Sequence, residues 1–325
     1  MSVSLIKAGV RRAVADVYYR TRHFKQRLRG KVVILNYHRV LSGPELARQY
    51  VQPGMYVRAN IFEAQMRFVK KHFEVLSLAR LLELWAVDGL DAGTRYCVVT
   101  FDDGWRDNYV HAYPVLRRLS IPATIFLVTR FVGTNEWFWP DKLAHIMADH
   151  WENRLDRDSQ RGGPGAEIEA EIGRWKKMRR ADTLLALEKR VREWGGSLPR
   201  DRVIVSWNEV AEMAQNGISF GSHSLTHAIL TRESAEEVQR EVRHSLQELR
   251  ERQANCVPVF CYPNGDYSAA IAEQVRSAGY RGAVCSESGW ETRVPRNLFA
   301  LRRVGIHNDL CRTVPLFAFR LAGLA

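Results

Sequence analysis

Two stretches of this chain combine residue types that do chemistry. The run from Tyr96 to Phe101 is apolar, rich in β-branched and aromatic residues, and ends abruptly in Asp102, Asp103 and Gly104. It reads as a buried strand whose tip delivers two adjacent carboxylates into a loop. Neighbouring acids repel, and burying either is costly unless a positive or protonated group accompanies it. A metal ion is the economical companion: one Asp binds it and the other stays free for proton transfer. An Asp-Gly turn after a strand is also common, so this stretch points to chemistry only with a partner. The partner lies downstream, where the short strand beginning at Ile218 leads into His223-Ser224-Leu225-Thr226-His227. On a helical turn this spacing places both imidazoles on one face, able to grip one ion. Two imidazoles and one carboxylate leave a position open for water, the arrangement of a catalytic divalent-metal site. A lone histidine reads as a satisfied core or surface residue; the pair just after a strand favours metal.

Thr100-Phe101-Asp102-Asp103-Gly104 and His223 to His227 resemble the first two motifs of the polysaccharide deacetylases, carbohydrate esterase family 4. Those enzymes remove N-acetyl groups from amino sugars in glycans. The resemblance runs from about Val32 to His307 around a charged insertion. It implies an α/β fold, a distorted (β/α) barrel with a helical insertion. It also implies a divalent ion, Zn²⁺ or else Co²⁺, Ni²⁺ or Mn²⁺, held by Asp103, His223 and His227, with Asp102 as general base. The stretch Val257 to Gly265 resembles the third motif, which makes the Tyr262 amide the implied oxyanion donor. Family members carry an arginine before this turn that orients the base; here Phe260 and Cys261 stand there, and Arg302 or Arg303 is the expected substitute. Ser288-Gly289-Trp290 faintly echoes the fourth motif. Phe299 to His307 resembles the fifth, which makes His307 the implied general acid. A tyrosine-histidine pair also occurs in the family where Tyr37-His38 stands, so His38 is a candidate for the groove or a histidine hydrogen-bonded in a loop.

The elements that must position these groups follow from pattern. Val32 to Val40 reads as a strand, Ile61 to His72 and Ser77 onward as helices, and Ile121 to Val128 as a further strand. This alternation indicates parallel α/β architecture, in which catalytic groups gather at the C-terminal ends of strands. From about Gly133 to Arg202 the texture changes. Ile168, Ile172, Trp175, Met178, Leu184, Leu187, Val191 and Trp194 recur at helical spacing, after a break at Arg161 to Gly165. Trp175 and Trp194 read as core, whereas Trp137 and Trp139 read as site aromatics for sugar stacking. Ser206 and Glu209 have the capping-box form. Residues 1–30 form a basic helical segment ahead of the catalytic domain at 31–325: Val10, Ala13, Val14, Val17 and Tyr18 make a stripe with Leu5 and Ile6, among many arginines. It either lies on an anionic membrane surface or packs across the barrel.

The chain has 325 residues and a net charge of +12. Such a balance suggests an anionic partner: a phospholipid surface, a polyprenyl-phosphate-linked sugar or nucleic acid. No nucleic-acid motif accompanies the charge, so no nucleic acid is expected. Cys97, Cys256, Cys261, Cys285 and Cys311 are odd in number, without a CxxC pair, and indicate buried thiols of a cytoplasmic compartment. Lys7, Arg11, Arg12 and Asp16 interrupt any apolar leader, and no run reaches the roughly 18 apolar residues of a membrane span. The expected enzyme is thus a glycan N-deacetylase of bacterial envelope assembly, cytoplasmic and peripheral at the inner membrane face, acting on a lipid- or nucleotide-linked N-acetyl sugar. The alternatives are a weak or inactive carbohydrate-binding protein on the same fold, and a non-haem iron oxygenase, which the second Asp disfavours.

Overall fold

The strand and helix runs resolve into a closed barrel. The computed structural model describes residues 3–154, 165–195, 197–198, 200–252 and 254–324. Seven strands form the ring: β1 (Val32–Tyr37), β2 (Tyr96–Phe101), β3 (Ala123–Leu127), β4 (Ile218–Ser222), β5 (Cys256–Cys261), β6 (Gly282–Ser288) and β7 (Leu301–Gly305). Each pairs parallel with the next in chain order, and β1 closes the ring by pairing with both β2 and β7. A short strand, Glu74–Val75, runs beside the start of β2, outside the ring.

Alternation along the strands sorts side chains into two sets. Val33, Leu35, Tyr37, Cys97, Val99 and Phe101 pack outward against the surrounding helices. Val32, Ile34, Tyr96, Val98, Val257, Val259, Val284 and Leu301 form a separate cluster within the ring, joined by Leu78, Leu81 and Leu82 of the helix that Ser77 caps. Followed toward the C-terminal strand ends, the inner set continues into Asn36 and His38, Thr100 and Asp102, Cys261, Ser286 and Arg303. The two-residue period therefore stacks the polar groups directly above an apolar plug. Gly221 on β4 keeps that plug intact: a Cβ there would lie 2.5 Å from Cε1 of Phe126.

Six helices matter for the site and its surroundings: α1 (Val3–Arg20), α2 (Trp139–Arg154), α3 (Gly165–Trp175), α4 (Arg180–Trp194), α5 (Ala235–Glu251) and α6 (Val314–Leu321). The insertion is helical as expected. α2, α3 and α4 enclose their own small core of Leu143, Ile146, Ile168, Ile172, Trp175 and Leu187. Trp194 stacks on His150 at 3.9 Å between ring centroids, so it too is a packing residue. The break at residues 161–164 lies outside the described residues.

α1 packs along α6, with Ala15 buried against Leu316 and Phe319 and Tyr18 edge-on to Phe319 at 5.5 Å. The expected apolar stripe divides here. Ala15 and Tyr18 face the body of the protein, whereas Val10, Val14 and Val17 are exposed. The row Arg11, Ala15, Tyr18 faces inward, one residue out of step with the valines, with Arg11 donating to the Leu310 carbonyl at 3.4 Å. The side chains of Leu5 and Ile6 lie outside the described residues. Among the described residues, no helix is long and apolar enough to cross a membrane.

Candidate active site

Asp103 leaves β2 with φ 75°, a left-handed conformation that turns its carboxylate back over the barrel mouth. Its Oδ2 accepts a hydrogen bond from Trp105 Nε1 at 2.9 Å. Oδ1 then lies 3.4 Å from His223 Nε2 and 3.5 Å from His227 Nε2. Tetrahedral coordination with bonds of about 2.0–2.1 Å spaces donor atoms about 3.3–3.4 Å apart. The two distances from Asp103 match that spacing, and the three donor atoms all lie within 4.8 Å of one another. His223 donates from Nδ1 to the Cys261 carbonyl at 2.8 Å, which leaves the Nε2 lone pair toward the site.

The histidine pair is not on a helical turn. After β4 the chain forms a loop in which Ser224 and His227 both have positive φ, and the two imidazoles meet edge-on at 4.8 Å. Glu241 of α5 holds this loop. Fully buried, it accepts the Leu225 and Thr226 amides on Oε2 at 3.0 and 2.8 Å and the Thr226 hydroxyl on Oε1. Burial disfavours charge on His223, but Cys261, Asp103 and Asp102 outweigh it and push its pKa up. Burial and then the charge of His223 push His227 down to about 3. Burial would raise Asp103, yet the hydrogen bond from His223 and the charge of His227 hold it well below the usual carboxylate range. The cluster thus pairs a carboxylate with one proton-holding imidazole, and a divalent cation would replace that proton.

Asp102 is equally buried but differently held. Arg303 grips it with two parallel hydrogen bonds, Nη1 to Oδ1 at 2.7 Å and Nη2 to Oδ2 at 2.8 Å. Burial would raise its pKa; the charge and hydrogen bonds of Arg303 outweigh that and keep it ionised. Arg303 therefore stands where the sequence left a choice of two arginines. Arg302, one residue earlier and pointing the other way, binds Glu291 at 3.0 Å. Cys261 fills the space an arginine would take on β5, its Sγ 3.4 Å from Asp102 and 3.3 Å from Arg303. His38 also reaches this carboxylate, Nε2 to Oδ2 at 3.8 Å. Its loop is pinned by Asn108, which donates to the His38 carbonyl at 2.8 Å, and by the Arg39–Asp107 ion pair at 2.9 Å.

One cavity opens over all of this, lined on the floor by His38, Asp102, Asp103, His223, His227 and Arg303. Four expectations change. The Tyr262 N–H is committed to the sheet, donating to Val284 O at 3.2 Å, and its hydroxyl donates to Phe299 O at 3.0 Å. The amide of the same turn without a partner among the described residues belongs to Asn264, which lines the cavity with φ 59°. His307 is not among the residues lining the cavity; β7 ends at Gly305, and the following turn carries His307 to Asp309 at 3.3 Å, still near enough to His38 to feel its charge. Trp290 sits at the opposite end of the barrel, donating to Leu321 O, beside Glu291 bridged to the start of β1. Of the two tryptophans read as site aromatics, Trp139 lines the cavity and Trp137 donates to Asp201 O in a separate groove.

Sequence reading did not find Glu241, Asp107 or Asn108. Glu241 had one signal: with Ser245 it is a polar interruption of the apolar face Val238, Val242, Leu246, Leu249.

The comparisons agree with this geometry. The polysaccharide deacetylase family model matches residues 90–283. The chain is 22% identical over 277 residues to YxkH of Bacillus subtilis (strain 168), covering 85% of this chain and 72% of that protein. Several solved structures share the fold, among them these two. The deacetylase PplD of Streptococcus pyogenes in complex with acetate has 20% identity and a TM-score of 0.57, over 86% of this chain and 94% of that one. IcaB from Ammonifex degensii has 17% identity and a TM-score of 0.58, over 89% and 97%.

Proposed function

The chain belongs to the polysaccharide deacetylase family, and we propose that it is a metal-dependent hydrolase removing the N-acetyl group from an amino sugar of a cell-envelope glycan precursor. The observation that carries this reading is the meeting of Asp102 with the Asp103, His223 and His227 triangle on one cavity floor. Zn²⁺ or a similar ion held by those three residues would polarise the acetamido carbonyl and acidify a water. Asp102, kept ionised and oriented by Arg303, takes the proton of the attacking water. The Asn264 amide faces the developing oxyanion, a role that needs an N–H not already spent in the sheet. His38, rather than His307, hands a proton to the departing amine, because it lines the cavity beside Asp102. The exposed valine row of α1 and the net charge of +12 support a peripheral place at an anionic membrane face.

Elemental analysis of the purified protein against His223→Ala/His227→Ala tests the site, alongside acetate release from N-acetylated sugars. About one divalent ion per chain, lost with activity in the variant, is the expected result. A wild-type protein that holds no more metal than the variant after incubation with Zn²⁺ overturns the reading. Metal without turnover on any acetamido sugar leaves a carbohydrate-binding protein instead.

A further inference from the structure

We infer that Lys176, at the end of α3, reads a phosphoryl group carried by the substrate sugar. This rests on the deacetylase reading above and names the substrate class of the same site. The insertion contributes Trp139, Pro140, Asp141 and Lys176 to the cavity. Among these, Lys176 is half-buried and has no carboxylate within ion-pair distance among the described residues.

Charge bookkeeping makes this lysine conspicuous. Arg303 is fully spent on Asp102, and Asp103 is spent within the ligand triangle. A divalent ion at that triangle leaves the mouth positive, and an unpaired ammonium beside it adds repulsion that a neutral acetamido sugar does nothing to relieve. Asp141 lines the same cavity but forms no ion pair with Lys176. An anionic substituent on the substrate supplies the missing charge. The donor type points to phosphoryl over carboxylate. A planar carboxylate is matched by the fork of a guanidinium, and Arg303, the one arginine lining this cavity among the described residues, is already occupied. A compact ammonium suits a tetrahedral phosphoryl group. Trp139, stacked on Trp175 at 6.0 Å, lines the same cavity as Lys176. Nucleotide-linked and polyprenyl-linked sugars share this phosphoryl chemistry.

The test compares three soluble probes: an N-acetylhexosamine 1-phosphate, its neutral methyl glycoside and an N-acetylated aminouronic acid. Wild type, Lys176→Ala and Lys176→Arg are assayed for kcat and KM. The metal-free proteins are titrated with the same sugars by calorimetry. The expected result is a preference of about tenfold in kcat/KM for the phosphate over the glycoside. Lys176→Ala should lose it through KM with kcat retained, and Lys176→Arg should restore part of it. Calorimetry should show the same loss for the phosphate alone. A raised KM with kcat retained in Lys176→Ala on both a nucleotide-linked and a short prenyl-linked sugar also supports the assignment, and the one the wild type uses better names the source. Equal use of phosphate and glycoside by the wild type, a preference that survives in Lys176→Ala, or a preference for the uronate overturns it. Turnover without phosphate preference removes this inference and leaves the deacetylase reading. Lys176-dependent phosphate binding without turnover of any acetamido sugar does the reverse.

Discussion

The floor and the rim of the cavity are built on different terms. On the floor, Asp102, Asp103, His223 and Arg303 are buried at strand tips, and each is held by at least two polar partners. On the rim, Trp139, Asp141 and Lys176 come from a helical insertion and leave their polar atoms without side-chain partners among the described residues. Floor groups are preorganised, which suits a reaction whose geometry does not vary. Rim groups are available to whatever the substrate brings.

The sharpest break should come at the floor. Asp102→Asn is expected to lower kcat by about 10³-fold while metal content stays at the wild-type value. Metal lost in that variant would make Asp102, not Asp103, the ligand and erase the division of labour between adjacent acids. Next, His38→Ala should lower kcat by about 10²-fold, whereas His307→Ala should leave it essentially unchanged. The reverse order would return the proton-donor role to His307.

A smaller effect is expected one layer behind the floor. Glu241→Gln removes an acceptor for the amides of the histidine loop, so metal affinity should fall about 10–100-fold in a chelator competition, with kcat recovering at saturating metal. Unchanged affinity would mean that the loop holds its left-handed residues unaided.

The smallest prediction sets the two regions against each other in sign. Burial, and then the charge of Asp103, pushes Asp141 up to about 7, whereas Asp102 is held down. Below the ordinary aspartate pKa of about 4, Asp141 is neutral folded or unfolded and costs nothing. As pH rises from there to about 7, the unfolded chain ionises first and metal-free stability is lost. The melting temperature of metal-stripped Asp141→Asn should therefore climb above wild type across that window and hold a constant lead beyond it. A lead that shrinks as pH rises would place Asp141 among the stabilising carboxylates.

Much of the floor was legible because its ligands are local in sequence. Asp102 and Asp103 are consecutive at a strand tip, and His223 and His227 lie in one short loop. The helical reading of that loop failed because Ser224 and His227 take positive φ, stabilised by Glu241 from a helix the sequence does not visibly connect to it. Arg302 and Arg303 could not be separated by residue type; the pleat of β7 turns one outward to Glu291 and the other into the ring. His307 has the same parity as Arg303, so alternation alone would also have placed it in the mouth. The strand ends first.

What the chain determined by itself is the set of reactive groups and the strand tips that carry them. Strands alternating with helices indicate a parallel α/β core with its polar ends at one face. Which arginine binds Asp102, which histidine meets it and which amide is free among the described residues were decided only when β1 closed against β7. Barrel closure sets the facing of each strand through register, and register depends on contacts between residues hundreds of positions apart.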